Sequence, residues 1–496
     1  METLRIKGFR SIENSGDIQL KPITVAIGKN SCGKSSFIRF FPLLKQSMEK
    51  DISESLLWYG DYVDFGDYNN IKPIFNKKTR TSFGMKLNIN KYNSFYFGNV
   101  FSKSTKNMPI EVNIDIAEKY IEHIQLKYFD QNIELKLNQN NTIKKITING
   151  YSNHIDIKKF KWYRESKCLI PIISNIENGE DHIYYRFYAD EYINKTIKDI
   201  FIEIGIETEK IDSLIEEVSC ISSKKSLQNY FLHECDIEKV CDYFKNNSEM
   251  IDKINSYIVM GALSPIIYNI DRKMLEEAEN LHYLKPIRAN VNRYYRIQGV
   301  SIDQVDSDGS NLAMILYNLA DEERNKFENW CKENFNIMFS ISKESGHASL
   351  IIKDEQGNKT NLADTGYGYS QILPIIVELW LLLNKKNRLK NKSITIVIEQ
   401  PELHLHPAFQ AKIVDLFSNI IKIAKSDNID LKIIFETHSA VMVNELGSLI
   451  SAGLLQKDDV NILAFEKSDN ISKISSLYFN EAGLITDWPV GFLSAN

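Results

Sequence analysis

A chain of 496 residues, 43% hydrophobic and 25% charged, is long enough for two or three domains around a large core. A formal net charge of −5 excludes a globally basic nucleic-acid binder and leaves room only for local basic patches. The longest apolar run, residues 372–383, carries Glu378 and is too short to span a bilayer, and the start METLRIKGFR has no apolar signal segment, so a cytoplasmic protein is expected. The six cysteines (Cys32, Cys168, Cys220, Cys235, Cys241 and Cys331) show no C-x-x-C pair and read as reduced thiols.

In chain order, short strands are predicted at residues 3–6, 18–20 and 23–27. The last runs into Gly28-x4-Gly33-Lys34-Ser35, followed by a helix from about Ser35. That order lets loop N–H groups and a helix N-terminus converge on an anion, as a phosphate-binding loop requires. A glycine turn before an ordinary helix would lack the lysine and hydroxyl at these places. Lys34 is expected to reach the β- and γ-phosphates of a nucleotide and Ser35 to ligate Mg²⁺, with Asn30, Ser31, Cys32, Gly33 and Ser36 lining the loop. Pro42 should kink or shorten the helix FIRFFPLLKQS. Gln46 at its end either faces the nucleotide and its metal or is simply solvated.

Residues 68–110 contain eight Lys or Arg and no acid: Lys72, Lys77, Lys78, Arg80, Lys86, Lys91, Lys103 and Lys106, interleaved with aromatics. Such a run can track a phosphate backbone and stack bases. MKLNIN and SFYFGNV alternate like strands, however, and an antiparallel sheet with a solvated basic face is the preferred reading. A meander continues over residues 112–150, with turns at 130–132 and 138–141. Residues 151–280 form a mostly helical insertion with mixed charge and no chemistry-bearing motif. Three parts are therefore expected: residues 1–150, 151–280 and 281–496.

Residues 281–297 carry Lys285, Arg288, Arg293 and Arg296 without an acid. Helices are predicted at residues 310–319 and 322–335, the second capped by Asp321. A hairpin follows at residues 348–353 and 359–362, then the segment DTGYGYSQ and an apolar helix to Asn384. SITIVIEQPELHLHP reads as a buried strand ending in Glu399 and a helix opening at Pro407. A buried strand ending in a carboxylate is how P-loop enzymes hold Mg²⁺ opposite the loop hydroxyl. LKIIFETHS is another such strand, and His438 at its end is positioned to sense a γ-phosphate. A zinc reading of His404, His406 and His438 has no supporting ligand spacing.

At this point the chain resembles a known family. GFRSIENSGDIQLKPITVAIGKNSCGKSS is similar to the opening of ABC-type ATPases of the SMC, RecF and OLD group, and EQPELHLHP and FETHS to their Walker B and switch-histidine segments. YLKPIRANVNRYY, ADTGYGYSQILPI and ITDWPVGF resemble the compact prokaryotic branch of anti-phage defence operons, which includes AriA of PARIS and PtuA of Septu. The resemblance implies an α/β fold: an ABC-type P-loop NTPase with an antiparallel β subdomain and a mostly helical insertion. It further implies homo-oligomers built on ATP-sandwich dimers. Each nucleotide would be closed by the partner's signature segment, here Gly366–Gln371, with Gly366, Gly368, Ser370 and Gln371 as its contacts.

Where ABC enzymes usually place Asp-Glu, this chain has Glu399-Gln400. Gln400 can orient a water but cannot take its proton, and Glu402 is the alternative candidate base. Slow hydrolysis suited to a switch is expected. Fewer than sixty residues follow Ser439 and they contain no Asp-x-Asp, so any nuclease effector is expected on a separate protein, with a phage protein as trigger. The competing reading is a RecF-like DNA repair clamp gripping DNA through residues 68–110 and 285–296.

Overall fold

The computed structural model describes residues 1–485 other than 74, 77–78, 91–106, 141, 153–155, 165–166, 176–184, 220–222, 289, 298–301, 303, 355 and 385–388. Its centre is a 14-stranded sheet that is parallel at one end and mainly antiparallel at the other. The parallel end runs Leu281–Leu284, Ser393–Glu399, Asp430–Glu436, Ile23–Gly28 and Val460–Ser468, in that spatial order. These strands are apolar almost throughout because both faces are covered. Alternate side chains enter two different cores. Ile394, Ile396, Ile398, Ile433, Phe435, Ile23 and Val25 pack on one side, whereas Val397, Ile434, Ala26 and Leu463 pack on the other.

The first side is filled by Tyr367–Asn384, Pro407–Ser426 and Ala440–Ser451, whose inner faces carry residues such as Ile376, Phe417 and Leu446. The second side receives the helices Lys34–Ile38 and Phe40–Glu49 and the long helix Ser248–Glu279. The helix expected to be kinked or shortened at Pro42 is two helices, broken at Arg39. Pro42 sits in the first turn of the second, where its missing N–H costs no hydrogen bond.

Strands Thr81–Asn90, Asn107–Ile116, Ile121–Tyr128, Gln131–Leu137 and Ile143–Ile148 form the antiparallel end, each pairing with the next. Phe83, Met85, Leu87 and Ile89 face inward, and Lys86 lies opposite Glu111 on the other face. This is the alternation expected of a half-solvated sheet. Lys77, Lys78, Lys91, Lys103 and Lys106 of the basic run lie outside the described residues, as do Tyr92, Phe95, Tyr96, Phe97 and Phe101. Insertion helices cover the inward face, and Gln131 and Asn255 exchange amide hydrogen bonds of 2.9 and 3.1 Å between sheet and long helix. One apolar cluster runs without interruption from this sheet through the helices of residues 194–279. Among the described residues no helix is long and apolar enough to cross a membrane.

Candidate nucleotide-binding site

The phosphate loop opens where the Ile23–Gly28 strand ends. At Gly28, φ is +149° and an added Cβ would lie 2.4 Å from the Phe465 carbonyl oxygen; at Gly33, φ is +102° and a Cβ would meet Ser472 Oγ at 2.6 Å. Only glycine fits both places, which is why the motif needs them. Lys34 is buried, and its ammonium donates to the carbonyls of Gly28 and Lys29 at 2.9 Å each. Cys32 is buried too, its thiol bonded to the Lys29 carbonyl at 2.8 Å, so it shapes the loop from within. Asn30 and Ser31 stand exposed, Ser31 with a φ of 59°, and Ser36 is half-buried in the helix's first turn.

Parallel register puts Glu399 beside Glu436 and Glu436 beside Ala26, so two carboxylates sit side by side next to the phosphate loop. Their partners differ. Ser35 Oγ donates to Glu436, with its oxygens at 2.9 and 3.1 Å. Glu399, fully buried, receives Arg39 Nε and Nη2 at 2.8 Å each and the Tyr283 hydroxyl at 2.5 Å. The carboxylate beside the loop hydroxyl is therefore Glu436, whereas the expected metal acid Glu399 is held by an arginine fork. Burial, and then the neighbouring charge of Glu399, push the Glu436 carboxyl up to about 7. A hydroxyl and an acid crowded by a second carboxylate form a hard-oxygen set that fits Mg²⁺, which binds through few protein oxygens plus phosphate. Ser35 and Glu436 would hold it, and it would neutralise phosphate charge there.

Gln400 follows directly and adopts a φ of 45°, a conformation sparsely populated outside glycine that tends to mark functional turns. Its side chain is half-buried and makes no hydrogen bond within the described structure. Glu402 Oε1 accepts the His438 backbone N–H at 2.7 Å, and burial raises its carboxyl above the ordinary range. The His438 ring is exposed, with its pKa lowered by desolvation and then by the charge of Lys34, which places it on the loop's side of the site. Arg288 is almost fully buried against this turn, Nη2 donating to the Glu399 carbonyl at 3.3 Å. Burial pulls its guanidinium down to about 10, so it is charged at neutral pH.

Two expectations change. Gln46 does not face the nucleotide: its amide donates to the Leu57 and Val63 carbonyls and accepts from the Tyr62 and Val63 N–H groups. Eleven residues beyond Ser35, it sits roughly 16 Å along the helical path, too far for the loop. In the signature segment, helical spacing turns only part of the sequence outward. Gly366 and Tyr367 are exposed, and Gly368 lies against the His404 carbonyl. Ser370 and Gln371 are buried, bonded to the Tyr367 carbonyl and the Arg288 N–H.

Within the basic segment 285–296, Lys285 bonds to the Asp61 carbonyl, Arg293 pairs with Asp364 at the surface, Arg296 is exposed, and Arg288 is buried.

Sequence reasoning missed Arg39, Tyr283 and Glu436, and read Arg288 only as part of a basic segment. Glu436 was detectable: LKIIFE is an apolar strand ending in an acid, the same signal that marks Glu399. The others gave none, because an arginine in a helix or basic run has no pattern announcing a buried partner.

Solved structures similar to the chain include an SMC head bound to the C-terminal winged-helix domain of ScpA, at 11% identity and a TM-score of 0.36 over 97% of this chain and 98% of that one. An SMC head with an extended coiled coil, bound to the C-terminal domain of ScpA derived from Pyrococcus furiosus, gives 13% and 0.34 over 96% of each. The SMC head domain from Thermotoga maritima gives 10% and 0.33 over 96% and 98%. No curated protein matches the chain. The model of the AAA ATPase domain family matches residues 1–443, so with its parallel sheet, phosphate loop and strand-end carboxylates the chain belongs to that family.

Proposed function

We propose that this protein is the ATP-binding, slowly hydrolysing switch subunit of a two-component bacterial anti-phage defence system. It pairs with a second copy around ATP and Mg²⁺ and holds a separate effector, read as a nuclease, until a phage protein triggers release. The reading of a switch is carried by the residue that follows Glu399 at the strand end, beside Glu436. Gln400, an amide in a constrained turn, occupies the place where a carboxylate would accept the proton of the attacking water. Gln400 can orient that water, Lys34 and Ser35 can bind the phosphates, and His438 can register the γ-phosphate. A partner's Gly366–Tyr367 corner is exposed and available to close the site. The defence context rests on the resemblance of the 283–295, 363–375 and 485–492 segments, the last of which lies almost wholly outside the described residues.

The test is expression with and without the neighbouring gene during phage challenge. Abortive infection or toxicity is expected only with the neighbour, and Lys34→Ala should abolish it. Full protection by this protein alone would refute the two-component reading. A turnover of hundreds per second by purified protein would refute the slow switch.

A further inference from the structure

Buried charges in proteins are nearly always paired, and a buried polar atom left without a partner calls for an explanation. Arg288 is such a case. Its side chain is 2% exposed, and only Nη2 is bonded, while Nε and Nη1 have no hydrogen-bond partner. Two carboxylates act on it electrostatically, Glu402 and then Glu399. Glu399 has no room, since Arg39 and Tyr283 already occupy its oxygens. Glu402 has: Oε1 accepts the His438 N–H, and Oε2 is buried with no partner. An arginine with two open donors, bonded to the Glu399 carbonyl, thus faces electrostatically a carboxylate with one open oxygen three residues further along the same turn. The turn between them begins at Gln400.

We propose that Arg288 is a positioning residue for ATP hydrolysis: its open N–H groups close on the free oxygen of Glu402 and fix the turn of residues 400–405, setting Gln400 and the His438 main chain against the phosphate loop. The other end of Arg288 is tied to the signature helix, because its backbone N–H meets Gln371 Oε1 at 3.4 Å. A displacement of that helix when a second copy docks is passed through Arg288 to Glu402 and His438. The guanidinium itself is too deeply buried to touch phosphate, so its effect falls on the rate and not on nucleotide affinity. The inference rests on the ATPase reading of the site.

The experiment compares the full-length protein with Arg288→Met, Arg288→Lys, Glu402→Gln and the Arg288→Met/Glu402→Gln double variant. It measures kcat, KM and the equilibrium affinity for a fluorescent non-hydrolysable ATP analogue. Arg288→Met should lower kcat at least tenfold while analogue affinity stays within threefold. Arg288→Lys keeps the charge without the fork and should recover part of that loss. The double variant should be no slower than the slower single variant, because the two side chains act as one unit.

Unchanged kcat in Arg288→Met, or rate losses that multiply in the double variant, would overturn the proposal. A loss of affinity in step with kcat would reduce Arg288 to a structural role and overturn it as well. Should Arg288→Met not fold, Arg288→Lys and Glu402→Gln carry the same comparison: reduced kcat at unchanged analogue affinity supports the pair, and unchanged kcat overturns it. Wild-type protein that neither binds nor hydrolyses ATP would instead defeat the ATPase reading.

Discussion

Replacing Arg39 with methionine would test the central electrostatic feature of the site. Glu399 is fully buried and Arg39 is 33% exposed, so the two partners are not equivalent. Arg39→Met leaves Oε2 without a donor and Oε1 with only the Tyr283 hydroxyl at 2.5 Å. Removing one member of a buried pair costs about 3–5 kcal/mol, and partial hydration on the arginine side puts this case near 3. Glu399→Gln leaves instead an arginine that water can reach, at a cost of about 1 kcal/mol. The difference of about 2 kcal/mol is roughly a thirtyfold change in the folded-to-unfolded ratio. Urea denaturation followed by far-ultraviolet circular dichroism would measure it. The double variant Arg39→Met/Glu399→Gln should recover most of the loss, since no lone buried charge remains. An Arg39→Met protein no less stable than Glu399→Gln would show that the fork does not neutralise Glu399.

Gln46→Ala should destabilise the fold by about 2–3 kcal/mol, because the 57–63 loop loses several hydrogen bonds. Titration with ATP should find nucleotide affinity unchanged, and a large loss would restore Gln46 to the site. Glu436→Gln should weaken MgATP binding about tenfold or more while leaving ATP in EDTA nearly unaffected, as calorimetry would show. Equal losses with and without Mg²⁺ would point away from a metal role. Gln400→Glu should raise phosphate release about tenfold or more if proton acceptance limits turnover. No gain there, together with abolition in Glu402→Gln, would make Glu402 the base.

The parts of the molecule that were legible in the sequence are those with local signals. The phosphate loop announced itself through glycine spacing, and the helix at Pro407 through its first residue. The strands ending at Glu399 and Glu436 showed as β-branched and apolar runs, and the 347–361 hairpin as alternation around Gly357. Its third strand, Met338–Glu344, was not foreseen. Helix caps slipped by a residue: Asp321, expected as the cap of its helix, is the first helical residue, and Ala320 precedes it. What stayed hidden is non-local. Arg39 and Glu399 are 360 residues apart, and Ser35 and Glu436 are 401 apart. No periodicity reports a pairing across such distances. Gln46 looked like a ligand because it is a polar residue ending the helix that follows the phosphate loop, and only the loop it clamps reveals its actual role.

The strand that carries the phosphate loop lies between Asp430–Glu436 and Val460–Ser468, with Phe465 opposite Gly28. Both flanks are made hundreds of residues after the loop itself. At ribosomal rates of about 5–20 residues per second, roughly 20–90 s pass between synthesis of Gly28 and of its neighbour Phe465. For most of that interval the loop lacks both flanking strands, and Glu436 and His438 are not yet made. ATP therefore cannot template the first part of the chain as it emerges. A chain that stops before residues 460–468 has the loop but not the second strand that seats it, so the geometry of the phosphate site is completed only by the last strands of the parallel sheet.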